Sequence, residues 1–138
     1  MNPVEVSASE TVDIRIDQDV VRVRQKMRAL AVTAALTLVD QTKVVTAASE
    51  LARNTLIYGG GGQAVLELVQ RSPTKGVRIS FTDQGPGIAD IALALTDGYT
   101  TGGGLGLGLS GARRLVDEFE LESAPGAGTT VVITKWGR

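Results

Sequence analysis

Apolar and polar residues alternate through Thr11-Val12-Asp13-Ile14-Arg15-Ile16, the period of a half-buried strand. The period then lengthens. From about Asp19 to Leu38, Val20, Val23, Met27, Leu30 and Ala34 recur at helical spacing, with Asp17 placed to cap the helix. A second helix is predicted from a cap at Asp40 or Thr42 to about Tyr58, ended by Gly59-Gly60-Gly61-Gly62. Two apolar runs follow, Ala64–Gln70 and Val77–Asp83, with the turn residues Ser72-Pro73-Thr74-Lys75-Gly76 between them; they read as a β-hairpin. Gln84–Gly104 carries no periodic pattern. A helix is predicted from about Leu105 to Phe119. Two strands close the chain, Glu120–Ser123 and Thr129–Thr134, joined by Pro125-Gly126-Ala127-Gly128. The order β-α-α-β-β-α-β-β predicts an α+β fold: a two-layer sandwich of a mixed, mostly antiparallel sheet with helices on one face.

Composition narrows the chemistry. The 138 residues suit one domain, expected to span 1–138. Fourteen basic against fifteen acidic residues give a net charge of −1, which argues against bulk electrostatic binding to nucleic acid or an anionic membrane. With no Cys and no His, thiolate zinc sites, disulfides, the Ser-His-Asp triad and a phospho-acceptor histidine are all excluded. The N-terminus has no signal-peptide pattern, and no apolar run approaches the roughly 20 residues of a membrane span. A cytoplasmic chain is expected.

Three segments carry candidate chemistry. In Glu50-Leu51-Ala52-Arg53-Asn54, Glu50 and Asn54 lie four apart and share a helix face. A carboxylate beside a carboxamide oxygen suits a divalent metal, or a base next to one; taken alone, the pair reads more simply as two solvated polar residues on a helix surface. In Asp83-Gln84-Gly85-Pro86-Gly87, an acid ends an apolar strand, where it can accept a hydrogen bond from an exocyclic amine such as that of adenine or simply close a tight turn. In Gly102-Gly103-Gly104-Leu105-Gly106-Leu107-Gly108-Leu109, a glycine-rich loop runs into a helix whose N-terminus can hold phosphate. There is no G-x-x-x-x-G-K-[ST], and Gly106-x-Gly108-x-x-Gly111 matches the dinucleotide fingerprint without the strand that should precede it.

Together these segments resemble the GHKL ATPase superfamily of gyrase, Hsp90, histidine kinases and MutL. Glu50–Asn54 is similar to its N box, Asp83-x-Gly85-x-Gly87 to its G1 box, Gly102-x-Gly104-Leu105-Gly106-Leu107 to its G2 box, and Gly126-Ala127-Gly128-Thr129 to its late G-x-G-T element. The resemblance covers nearly the whole chain and implies a Bergerat-type ATP-binding fold. The chain is short for a gyrase, MutL or Hsp90 protein and has no histidine-kinase dimerisation helices. Gly111–Phe119, Glu122-Ser123 and Thr134-Lys135-Trp136 resemble the small serine/threonine kinases that regulate bacterial sigma factors, most of all the stressosome switch kinases.

That resemblance implies ATP and Mg²⁺ as cofactors. It implies phosphorylation of Ser or Thr on STAS-domain proteins, of antagonist and scaffold types, and activation of a PP2C-type phosphatase. The alternative it leaves is an anti-sigma factor that sequesters a sigma subunit, with kinase activity secondary. By matched position, Glu50 would be the general base and Asn54 the Mg²⁺ ligand. Asp83 would read the adenine amine, Gly85 and Gly87 would shape the pocket, and Thr129 would support the base. Backbone amides around Gly102, Gly104, Leu105, Gly106 and Leu107 would hold phosphates, and a lid would run from about Ala89 to Gly103. The chain departs from the pattern at Thr100-Thr101-Gly102-Gly103, where related kinases carry a basic residue beside the G2 glycines. Arg113 and Arg114 are expected at the helix surface or against a partner. Arg22, Arg24, Lys26 and Arg28 are expected to form either a solvated face or a docking surface for an acidic partner.

Overall fold

A computed structural model describes residues 3–88 and 105–137. The order is β1 (Glu5–Ile14), α1 (Asp17–Thr33), α2 (Leu38–Ile57), β2 (Gly62–Arg71), β3 (Thr74–Asp83), α3 (Leu105–Arg114), β4 (Glu118–Ser123) and β5 (Thr129–Trp136). The strands form one sheet in the order β1-β2-β3-β5-β4. All four neighbouring pairs are antiparallel. The mostly antiparallel sheet expected from the pattern is, among the described residues, antiparallel throughout: the long connection through α3 delivers β4 to the edge, and β5 turns back to fill the place beside β3.

The alternation along each strand separates two faces. Val12, Ile14, Ala64, Leu66, Val77, Ile79, Phe81, Val131 and Ile133 point inward and are buried beneath α1 and α2. Helix α1 contributes Val20, Val23, Met27 and Ala31; α2 contributes Val44, Val45, Ala48 and Leu51; α3 adds Leu109 and Ala112. The opposite face carries polar pairs such as Glu67 with Arg78, 2.8 Å apart. This is the two-layer arrangement that the pattern predicts, with helices on one side.

Element boundaries differ where local chemistry outweighs the apolar period. Asp17 is the first residue of α1 and does not cap it. Asp19, in the third helical position, is buried and turns back to accept the backbone N–H of Arg15 at 2.8 Å and of Ile16 at 3.1 Å. Those two N–H groups hold its carboxyl below the usual carboxylate range. Helix α2 is capped by Thr37, whose hydroxyl accepts from the Asp40 N–H at 3.1 Å, rather than by Asp40 or Thr42. Asp40 instead lies buried, 3.6 Å from Lys135, which also meets Asp117 at 3.2 Å. The two-residue hairpin link Ser72-Pro73 is shorter than the predicted turn. Helix α3 stops at Arg114, not Phe119, because Glu118 and Phe119 already pair with β5.

Helix α1 ends at Thr33, five residues short of the expected Leu38, through a left-handed residue. Ala35 has φ 60°, and the Leu36 N–H reaches back to the Ala31 carbonyl at 3.0 Å, closing the helix end. Alanine holds this conformation against its Cβ at a cost of about 1–2 kcal/mol, so Ala35→Gly, which gives back about 0.5–1 kcal/mol in unfolded-chain entropy, should stabilise the fold by about 0.5–1 kcal/mol net. Urea denaturation reads this as a higher midpoint at unchanged slope. A lower midpoint would show that the helix end is not held by this geometry.

Candidate nucleotide site

Helix α2 lies with its C-terminal half over the ends of β3 and β5. Its stripe Leu51, Asn54, Thr55 and Tyr58 turns toward them at the three- and four-residue spacing of one helix face. Together with Phe81 and Asp83 of β3, Gly87 and Ile88, Leu109 of α3, and Thr129 and Val131 of β5, these residues line a cavity of about 250 Å³. Its walls are mostly apolar, with Asn54, Thr55, Tyr58, Asp83 and Thr129 as the polar side chains. A volume just under the roughly 300 Å³ at which ligand pockets begin suits a flat ring system rather than an entire nucleotide.

Asp83 and Thr129 are direct partners across β3 and β5. Asp83 is half-buried at the strand end, and one carboxylate oxygen accepts the Gly85 N–H at 2.9 Å, which fixes the side chain. Two glycines let the neighbouring backbone close around it. Gly87 has φ +78°, and a Cβ there would fall on the Ala124 carbonyl oxygen; Gly128 has φ +76°, and a Cβ there would fall on the Asp83 carbonyl oxygen. The loop after β3 thus sits directly on the β4–β5 turn, where Gly126 N–H donates to the Pro86 carbonyl at 2.8 Å. Gly85 packs against Gly59 just outside the cavity lining.

Asn54 is part-buried, and its Nδ2 is buried with no hydrogen-bond partner among the described residues. A buried orphan amide at a cavity wall points to a ligand that completes it. Among the described residues no cluster of three acidic side chains could hold a metal alone. A divalent cation here would share one amide oxygen with ligand oxygens and water, which is the habit of Mg²⁺ on phosphates. The orphaned Nδ2 is a donor and calls for a ligand acceptor such as a phosphate oxygen, so the fit to such an ion rests on the Asn54 Oδ1, with the ligand supplying the remaining oxygens.

The structure therefore brings together Asn54, Asp83, Gly87 and Thr129, with Gly85 alongside. Glu50 stands one turn before Asn54 on α2 but is exposed and does not line the cavity. Leu105, Gly106 and Leu107 form the first turn of α3. Gly102, Gly104, the uncharged stretch Thr100–Gly103 and the segment Ala89–Gly103, expected to be a lid, lie outside the described residues. Arg113 and Arg114 are exposed, as expected. Tyr58 and Thr55 were not singled out from the sequence. Tyr58 repeats the four-residue spacing of Glu50 and Asn54 and could have been found from it. Among the described residues no helix is long and apolar enough to cross a membrane.

Residues 39–136 match the family of histidine kinase-, DNA gyrase B-, and HSP90-like ATPases. The chain is 46% identical over 127 residues to the serine/threonine-protein kinase RsbT of Bacillus subtilis, covering 92% of this chain and 96% of that protein. It is 30% identical over 117 residues to an anti-sigma F factor of a Thermoanaerobacter species, covering 82% of each. A crystal structure of the RsbU and RsbW domains of a Mycobacterium tuberculosis protein superposes with a TM-score of 0.64 at 19% identity, over 96% of this chain and 33% of that one. The chain thus spans about a third of that larger structure, which shares its fold.

Proposed function

The chain belongs to the histidine kinase-, DNA gyrase B-, and HSP90-like ATPase family and is a serine/threonine-protein kinase, and from that premise we propose that it phosphorylates Ser or Thr of STAS-domain regulators in a cytoplasmic sigma-factor pathway of the stressosome type. On the same reading the kinase, once released from its STAS partners, activates a PP2C-type phosphatase. The observation that carries the site assignment is the convergence of Asn54, Asp83 and Thr129, from three elements distant in sequence, on one mostly apolar cavity.

In this reading the cavity takes adenine. The Asp83 carboxylate accepts from its exocyclic amine, Thr129 supports the ring through its hydroxyl, and Gly85 and Gly87 keep the neighbouring backbone clear of it. By the family resemblance, backbone amides at Gly102, Gly104, Leu105, Gly106 and Leu107 would hold the phosphates; Leu105, Gly106 and Leu107 are the N-terminal turn of α3, where unpaired N–H groups and the helix dipole favour anions. Asn54 would hold Mg²⁺, which supplies charge neutralisation for the phosphate oxygens. Glu50 takes the proton of the substrate hydroxyl as its oxygen bonds to the γ-phosphorus; the bond from that phosphorus to the bridging oxygen breaks and ADP leaves. Such a transfer is mainly a matter of positioning and charge stabilisation. An exposed base is what a protein substrate requires, because the acceptor hydroxyl arrives on a folded surface.

Affinity capture with the purified kinase should recover STAS-domain proteins and a phosphatase. The anti-sigma F factors among the relatives favour a second reading, and recovery of a sigma subunit as the main partner would select it.

The basic first half of α1 is assigned to partner docking. Arg24 and Arg28 are exposed; Arg22 pairs with Asp19 at 3.0 Å yet stays half-exposed, and Lys26 pairs with Glu10. Reversing Arg22 and Arg24 to Glu should weaken partner association most strongly at low ionic strength while ATP affinity is unchanged, because rim charges act chiefly on encounter rate and specificity. Unaltered partner binding at low salt would make this a solvated face.

A further inference from the structure

Asp83, Thr129 and Ser123 form one row across the cavity end of the sheet: Asp83 pairs with Thr129 between β3 and β5, and Thr129 with Ser123 between β5 and β4. Ser123 does not line the cavity, but its hydroxyl has three partners. It receives the Ile88 N–H at 2.8 Å, donates to the Gly128 carbonyl at 2.9 Å, and lies 2.8 Å from the Thr129 hydroxyl. A serine hydroxyl has one proton and two lone pairs. The Gly128 carbonyl can only accept, so the Ser123 proton goes to it. The Ile88 N–H can only donate, so it occupies one lone pair. The contact with Thr129 then has one arrangement that completes all three bonds: the Thr129 proton points at Ser123.

We propose that Ser123 is a positioning residue for base specificity, fixing the Thr129 hydroxyl so that it offers only lone pairs to the cavity. Asp83 and Thr129 then form an all-acceptor pair. That pair accepts an exocyclic amine and repels a carbonyl oxygen at the same ring position. The inference rests on the adenine reading of this cavity and adds to it a residue that never touches the base. Removing the Ser123 hydroxyl releases the Thr129 proton, which can then donate to a carbonyl. Discrimination should fall even though both direct contacts remain.

The test compares binding of ATP with that of inosine triphosphate, which carries a carbonyl where adenine carries its amine. Ser123→Ala should lower the ATP-to-inosine affinity ratio about tenfold, the size of one hydrogen bond redirected. Ser123→Thr, which keeps the hydroxyl, should hold the wild-type ratio. Thr129→Val should lower the ratio by itself, and adding Ser123→Ala to it should lower it no further. A purely structural role would weaken both nucleotides alike and leave the ratio unmoved; so would loss of the Ile88 bond. An unchanged ratio in Ser123→Ala, with Thr129→Val lowering it, overturns the inference and leaves the adenine reading standing. If Thr129→Val changes neither ATP affinity nor the ratio, the reading of Thr129 fails and the inference fails with it. Should Ser123→Ala not fold, Ser123→Cys reads the same ratio through a much weaker donor and acceptor, with a fall expected and constancy again contrary.

Discussion

Glu50→Gln should bind ATP as wild type does and transfer phosphate about 10²–10⁴-fold more slowly, the usual contribution of one positioned general base. The amide keeps the shape of the side chain and removes its proton acceptor. Two features make the separation of binding from chemistry clean. Glu50 is exposed and stands outside the cavity lining, so its loss subtracts nothing from the cavity walls. It also sits one turn from Asn54 on the same rigid helix, which keeps the remaining site in place. With no histidine in the chain, no imidazole can take over the proton. The measurement is single-turnover transfer to a protein substrate beside nucleotide binding by calorimetry. A near-normal rate in Glu50→Gln would remove Glu50 from the chemistry.

Asp83→Asn should act on the opposite quantity. The carboxylate is fixed by the Gly85 N–H at one oxygen, leaving the other for a ligand. An asparagine in that place can turn an NH₂ toward the cavity, where the amine of adenine would meet a donor instead of an acceptor. A hydrogen bond to a charged group contributes about 1.5–3 kcal/mol, so ATP affinity should fall about 10–100-fold. Preference for ATP over GTP should narrow in the same titrations. Retained affinity and selectivity would show that the cavity does not read the amine through Asp83.

What the chain discloses before folding follows from which interactions are local. The glycine clusters, the four-residue step from Glu50 to Asn54 and the acid closing an apolar strand are contiguous signals, and three of the segments that hold them meet at one cavity. The α+β layering was legible for the same reason, since the period-two and period-3.6 patterns mark which face each element buries. The illegible parts depend on contacts across the sequence or on residues acting out of type. Ala35 ends α1 in a conformation usually given to glycine, so no stop signal marks it. Asp19 caps from inside the helix, and Thr37 takes the place expected of Asp40 because Asp40 is drawn to Lys135 near the other end of the chain. Ser123 gains its role only when β4 lies beside β5 and the loop after β3 folds onto both. The all-antiparallel sheet likewise depends on where the α3 connection delivers β4, which no local pattern encodes.

Partner choice is the central claim, and phosphate transfer tests it most directly. The purified kinase is incubated with Mg²⁺, radiolabelled ATP and STAS-domain proteins encoded in the same genome, and the products are mapped by mass spectrometry. The account predicts label on a Ser or Thr of a STAS domain, formed by the wild type and lost in Glu50→Gln. No label on any STAS domain, with the same preparation binding ATP and holding a sigma subunit in a stable complex, would contradict it.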